Sequence, residues 1–252
     1  MRHFNLFLLV AAFVAFSGCK KDSKRRIEKF HRQEVGSSAH DILSDKKYQS
    51  ITVEIVYMTG YKPTDAAMNN LQAMINQYCN KPDGITFTYH EIAAQGKTSY
   101  SISDVRAIED DTRQEFTYKK DLAVYFLFLD GPSSENQGSS MVVGQAYYNT
   151  SMVIYEKSLQ DNSGGFGEPE LYKLETVVIN HEFGHILGLV NNGSTMYHAH
   201  QDSAHGAHCD NQDCLMYWEA ETGSIFSNLI GNAPIPGLDA NCIKDLQENG
   251  GK

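Results

Sequence analysis

The chain has 252 residues, of which 41% are hydrophobic and 21% charged. That is enough for one packed core in one or two domains, and it excludes a collagenous or wholly disordered chain. The formal charge of −10 argues against a nucleic-acid partner, which calls for a basic surface. The charge is also uneven: residues 1–36 carry eight Lys/Arg against three Asp/Glu, whereas the rest carries 13 against 28. Histidine and cysteine stand out by placement. Six of ten histidines fall between His181 and His208, and three of five cysteines lie at or after Cys209.

In chain order, the first feature is an apolar run from Leu6 to Phe16 behind Arg2. It is too short to span a bilayer and has the size of a signal-peptide core. It ends in Ala15-Phe16-Ser17-Gly18-Cys19, which resembles a bacterial lipobox. The resemblance implies that residues 1–18 are a lipoprotein signal peptide and that Cys19 is the lipidated N-terminus. The mature protein is then anchored to a membrane of the cell envelope, on the periplasmic side or the cell surface. A plain secretory signal with an incidental cysteine is the alternative. Residues 19–48 are polar and lack a sustained apolar period, so they are expected to be a tether, followed by one domain over 49–252.

The order of elements in that domain is α/β (α+β). Ile51–Met58 alternates β-branched residues and reads as a strand. Pro63–Tyr78 places Ala66, Met68, Leu71, Met74 and Ile75 at helical spacing behind Thr64 and Asp65. Ile85–Ile92 alternates again. Ser103–Glu115 reads as a polar helix. Leu122–Leu129 is almost continuously apolar, as befits a strand covered on both faces. Gly131–Ser140 is a loop, Met141–Asn149 and Ser151–Tyr155 are two further strands, and Asp161–Gly167 is glycine-rich. A long helix then begins at Pro169. In it Leu171, Leu174, Val178, His181, His185 and Gly188 form one stripe.

The second half of that stripe is imidazole. His181-Glu182-Phe183-Gly184-His185 has the form H-E-x-x-H. Histidines four apart share one helical face and can both reach one Zn²⁺ at about 2.0–2.1 Å. Glu182 can then stand beside a zinc-bound water, whose pKa the metal lowers towards about 7, and take its proton as general base. Gly188 extends the motif to H-E-x-x-H-x-x-G, and a glycine there can end the helix in a left-handed turn.

This extended motif resembles that of the metzincin metalloproteases, whose third ligand follows the glycine as G-x-x-H or G-x-x-D. Here that position is Asn191, a weak neutral ligand. Downstream, His208-Cys209 with Cys214 and Met216 reads H-C-x-x-x-x-C-x-M, which is similar to the archaemetzincin pattern. The resemblance implies that His208 is the third zinc ligand and Met216 the Met-turn residue beneath the metal. The chain departs from the pattern by an insertion, Leu189–Ala207, which contains His198, His200, Asp202 and His205; His200, His205 and Asn191 remain rival ligands. The resemblance further implies a twisted mixed sheet in an N-terminal lobe (49–188), an active-site helix and a small irregular C-terminal lobe (189–252). Its antiparallel edge strand, placed at Met141–Asn149, would pair with an extended peptide.

With Cys19 acylated, Cys79, Cys209, Cys214 and Cys242 remain. In an exported chain an even number suggests disulfides, first Cys209–Cys214 with Cys79–Cys242. Archaemetzincins instead hold a structural zinc with such cysteines and a later C-x-x-C. Here the first cysteine of that pair is Asp239, and the expectation stays with disulfides, a second metal being the alternative.

The expected activity is therefore that of a membrane-anchored zinc endopeptidase, with a peptide or protein as substrate. The main alternative is a non-catalytic lipoprotein that binds or stores zinc at the envelope. An adhesin on a protease-like fold and a hydrolase of other amides are further alternatives. Substrate specificity and oligomeric state are not written in the sequence.

Overall fold

The computed structural model describes residues 29–252 except 139. The signal segment, Cys19 and the start of the tether lie outside the described residues. Five strands form one mixed sheet: β1 (Ser50–Met58), β2 (Gly84–Ile92), β3 (Asp121–Phe128), β4 (Gly144–Tyr148) and β5 (Ser151–Ile154), in the order β2-β1-β3-β5-β4. β1 is parallel to both β2 and β3, and β5 is parallel to β3. β4 closes the edge antiparallel to β5, with an irregularity between Ala146 and Tyr148. Six α-helices lie wholly within the described residues: α1 (Ala39–Leu43), α2 (Asp65–Tyr78), α3 (Ile102–Thr112), α4 (Glu156–Gln160), α5 (Leu171–Ile186) and α6 (Ala240–Glu248). Among the described residues no helix is long and apolar enough to cross a membrane.

The alternation of β3 divides the core. Leu122, Val124, Phe126 and Phe128 join Ile51, Val53 and Ile55 in the cluster that contains residues of α2 and α5. Tyr125, Leu127 and Leu129 join Val56 and Met58 in the cluster with Val105 and Ile108 of α3. Every residue of β3 after Asp121 is buried, as its nearly unbroken apolar run requires.

Helix starts follow local capping chemistry. The Thr64 hydroxyl accepts from the Ala67 N–H. Ser101 and Asp104 bond reciprocally across one turn, so α3 starts at Ile102 rather than at Ser103, and it stops at Thr112. Pro169 lies just outside α5, whose cap is Glu170. α5 is also buried on all sides from Lys173 to Ile186, not along one stripe. It packs against α2, α4, β4, β5 and the two 3-10 turns, Trp218–Glu221 and Gly223–Leu229. A helix clamped in this way holds its side chains in fixed positions.

The expected tether ends earlier than residue 48. His31, Ala39, Ile42, Leu43 and Tyr48 are all buried. Asn149 donates to the Phe30 carbonyl (2.9 Å) and to the Ser38 hydroxyl (2.7 Å). The buried Arg113 donates to Glu109 (2.6 Å) and to His31 Nδ1 (2.9 Å). Burial, with the Arg113 charge second, holds His31 down to about 2, so the ring is neutral. The segment is attached by one short helix and by polar bonds to distant residues, neither of which leaves a periodic trace in the sequence.

Leu43→Ala tests this attachment. Emptying a fully buried leucine site should cost about 2–5 kcal/mol in a urea melt, whereas the same change in a solvated tether would stay within about 0.5 kcal/mol.

Candidate metal centre

α5 carries His181 and His185 one turn apart, with ring centroids 4.7 Å apart and Nε2 atoms 3.0 Å apart. Donor atoms on one tetrahedral zinc stand about 3.3 Å apart, given Zn–N bonds of 2.0–2.1 Å. The helix ends at Gly188 in a left-handed conformation (φ 74°), where a Cβ would meet the Ser194 nitrogen at 2.6 Å and the Ala39 Cβ at 2.9 Å. The insertion then folds back on itself. Gln201 and Cys209 pair as an antiparallel bridge. The Asp202 N–H donates to the His208 carbonyl (2.8 Å), and the Asp210 N–H to that of His200 (2.9 Å). This returns His208 to the helix, its ring 5.2 Å from that of His181 and 5.0 Å from that of His185.

Backbone carbonyls orient two of the rings. His181 Nδ1 donates to the Leu215 carbonyl (2.7 Å) and His208 Nδ1 to the His205 carbonyl (2.6 Å). Each bond fixes the tautomer and leaves Nε2 with a free lone pair. One donor atom from each of His181, His185, His208 and Glu221 lies within 4.8 Å of the others. Burial holds His181 down to about 4 and His185 well below its ordinary value, and neutral imidazole is the ligand form. Burial also pulls on His208, but the adjacent Glu221 carboxylate outweighs it and raises its pKa. Among the described residues the buried His208 Nε2 has no hydrogen-bond partner. The three imidazoles therefore fit a metal ion, for which such an atom is a donor in waiting.

Glu182 is fully buried beside this point. Its Oε2 accepts from the Ala146 N–H of the edge strand (2.7 Å), and its Oε1 has no partner. Burial first, and the Glu221 charge second, raise its pKa well above the ordinary value. β4 approaches this closely because residue 144 is glycine: a Cβ there would lie 2.5 Å from Val178 Cγ1 and 2.8 Å from Glu182 Oε1. Met216 is buried beneath the helix, and a Cβ on Gly184 would run into its sulfur. The Met216 carbonyl accepts from the Cys209 N–H (2.8 Å), which ties the methionine turn to the segment bearing His208.

The rival ligands lie elsewhere. Asn191 and His198 are exposed. His205 stacks on Trp218 (4.4 Å) and pairs with Asp202 (2.5 Å). His200 belongs to a second cluster with Cys209, Asp239 and Cys242. Its Nδ1 faces Cys209 Sγ at 3.4 Å and Cys242 Sγ at 4.0 Å, and its Nε2 donates to the buried Asp245 (2.8 Å).

The expected disulfides are absent among the described residues: Cys79, Cys209, Cys214 and Cys242 are all free. Cys214 and Cys242 lie 3.6 Å apart. Cys79 is buried in the main core, outside the cluster. Hydrogen bonds shared with Cys209 and Cys242 lower the pKa of the Cys214 thiol. Three sulfurs, an imidazole and a carboxylate drawn together by the fold make a soft donor set suited to zinc.

Two residues of the first cluster escaped the sequence reading: Glu221, and Ala146, which acts through its backbone. Glu221 lies five residues past Met216 on a 3-10 turn, and no spacing rule singles it out.

No protein-family model and no curated protein matches the chain by sequence. Among solved structures, the fold is similar to the crystal structure of archaemetzincin from Methanopyrus kandleri, with a TM-score of 0.50 and 14% identity, over 80% of this chain and 96% of that one. The likeness is one of fold. The mixed sheet with its antiparallel edge, the central helix and the irregular C-terminal part are the architecture that the motif resemblance implied.

His208→Ala should remove one equivalent of bound zinc, while His205→Ala and His198→Ala should retain it, as read by metal analysis after dialysis. Loss with His205→Ala but not with His208→Ala would reassign the third ligand.

Proposed function

We propose that the chain is a zinc-dependent endopeptidase of archaemetzincin type. The observation that carries this reading is the meeting of three buried imidazoles with a carboxylate that has one oxygen tethered and one free, beside the antiparallel edge strand. His181, His185 and His208 would hold the zinc. When bound, the ion would polarise a peptide carbonyl and acidify a water. Glu182 would take a proton on Oε1 and return it to the leaving amine. The Ala146 N–H keeps Oε2 from rotating away. β4 would align an extended peptide by main-chain pairing. The acidic domain disfavours strongly acidic substrates.

We extend the reading to the second cluster, where His200, Cys209 and Cys242, with Cys214 or Asp239, would hold a structural zinc. Asp245 would orient His200 as carboxylates orient metal-bound histidines. The donor set favours this reading, because two disulfides would need Cys79 beside one of the other three cysteines, and it lies outside their cluster.

In the same reading, lipidated Cys19 anchors the protein in the cell envelope. A storage protein would share both metal clusters, but it has no use for the unpartnered Glu182 oxygen, which is costly to bury.

Glu182→Gln decides between them. The variant should bind as much zinc as the parent and lose peptide hydrolysis by at least about a hundredfold, the usual contribution of a general base. Full activity in a zinc-replete variant would contradict the mechanism, and two bound zinc ions without hydrolysis by the parent would favour storage.

A further inference from the structure

Glu221 closes the 3-10 turn that follows Met216. Its backbone is bound to the start of the expected edge strand. The Val143 N–H donates to the Glu221 carbonyl (3.0 Å), the Gly223 N–H donates to the Met141 carbonyl (3.3 Å), and Val142 pairs with Thr222 as an antiparallel bridge. Residues 221–223 therefore lie on the rim of residues 141–143, and β4 itself begins only at Gly144.

The side chain turns from this rim into the imidazole cluster. Glu221 Oε2 is 3.9 Å from His181 Nε2 and 3.8 Å from His185 Nε2, and Oε1 is 3.5 Å from His208 Nε2. A carboxylate serving one histidine as a hydrogen-bond partner would sit closer to it than to the others. This one is nearest His208 through Oε1, yet its Oε2 also faces both His181 and His185 within 3.9 Å. The spacings exceed the separation of about 3.3 Å between neighbouring ligands on a tetrahedral zinc by about 0.2–0.6 Å.

We infer that Glu221 is a fourth protein ligand of the histidine centre, and that it and the turn it belongs to close the site from within. This rests on the reading of His181, His185 and His208 as ligands. Three neutral imidazoles leave both charges of a divalent ion uncompensated in a buried site, which is costly; a carboxylate offsets one. In that reading Glu182 keeps its free Oε1 for proton transfer, with Oε2 held by the Ala146 N–H. One movement of the turn would withdraw the carboxylate and free the rim at residues 141–143 together, so the resting protein is latent and a peptide must displace residues 221–223 to enter.

A chelator competition titration with zinc tests this. The step deleted by His208→Ala belongs to the histidine centre. Glu221→Gln, nearly isosteric, should weaken that step by at least about tenfold, the lower end of what losing even an outer partner costs. It should leave the other step unmoved and raise peptide hydrolysis by the zinc-loaded protein. Glu221→Asp keeps the charge but draws the carboxylate back, and should weaken the step to a similar degree. An unchanged step in Glu221→Gln would overturn the inference. So would parental affinity in Glu221→Asp with loss in Glu221→Gln, which would reduce the role to charge at a distance. Weakened binding with no hydrolysis by any variant would keep Glu221 as a ligand and remove the peptidase reading instead.

Discussion

Three imidazole nitrogens brought together in a buried space are the constraint on which the arrangement turns. A buried polar atom without a partner costs about 1–3 kcal/mol, yet His208 Nε2 and Glu182 Oε1 are both left in that condition. Nothing around them supplies a donor. The Leu215 and His205 carbonyls take the Nδ1 protons of two rings, which turns their Nε2 lone pairs inward. His181 and His185 meet Nε2 to Nε2 at 3.0 Å, and a metal ion is the one partner that these two and the orphaned His208 Nε2 can share.

The fold keeps these groups in place by enclosing the helix that carries them. α5 is clamped between the sheet, α2 and the C-terminal turns, so His181 and His185 do not depend on a mobile loop. Two glycines permit the closeness: Gly144 lets the edge strand reach Glu182, and Gly184 leaves room for the Met216 sulfur. The edge strand thereby both orients the carboxylate and lies where a peptide would pair. The second cluster, only one residue along the chain from His208, braces the loop that delivers the third imidazole. Asp245 secures His200, and Cys209 is bonded to the methionine turn.

The strands, α2 and the H-E-x-x-H helix were legible because their signals are local and periodic. β3 is one unbroken apolar run, and side chains that share one helical face recur every three or four residues. His208 was legible only through its resemblance to a known pattern, since a 22-residue excursion separates it from His185 and no spacing argument survives such a loop. The cysteines were misread because parity and export say nothing about which sulfurs the fold brings together. Cys209 and Cys242 meet His200, and Cys214 lies against Cys242. Residues 30–48 looked like a tether because a five-residue helix and bonds such as Asn149 to Ser38 join positions more than a hundred residues apart. Glu221 was invisible for a related reason: a 3-10 turn has no amphipathic period, and its direction is set by contacts to residues 141–143.

Anomalous diffraction at the zinc edge, from crystals of the zinc-loaded protein, tests the central claim most directly. The account predicts a peak about 2.0–2.1 Å from the Nε2 atoms of His181, His185 and His208. A peak confined to the cysteine cluster, or zinc held by His181 and His185 with His208 turned away, would contradict it.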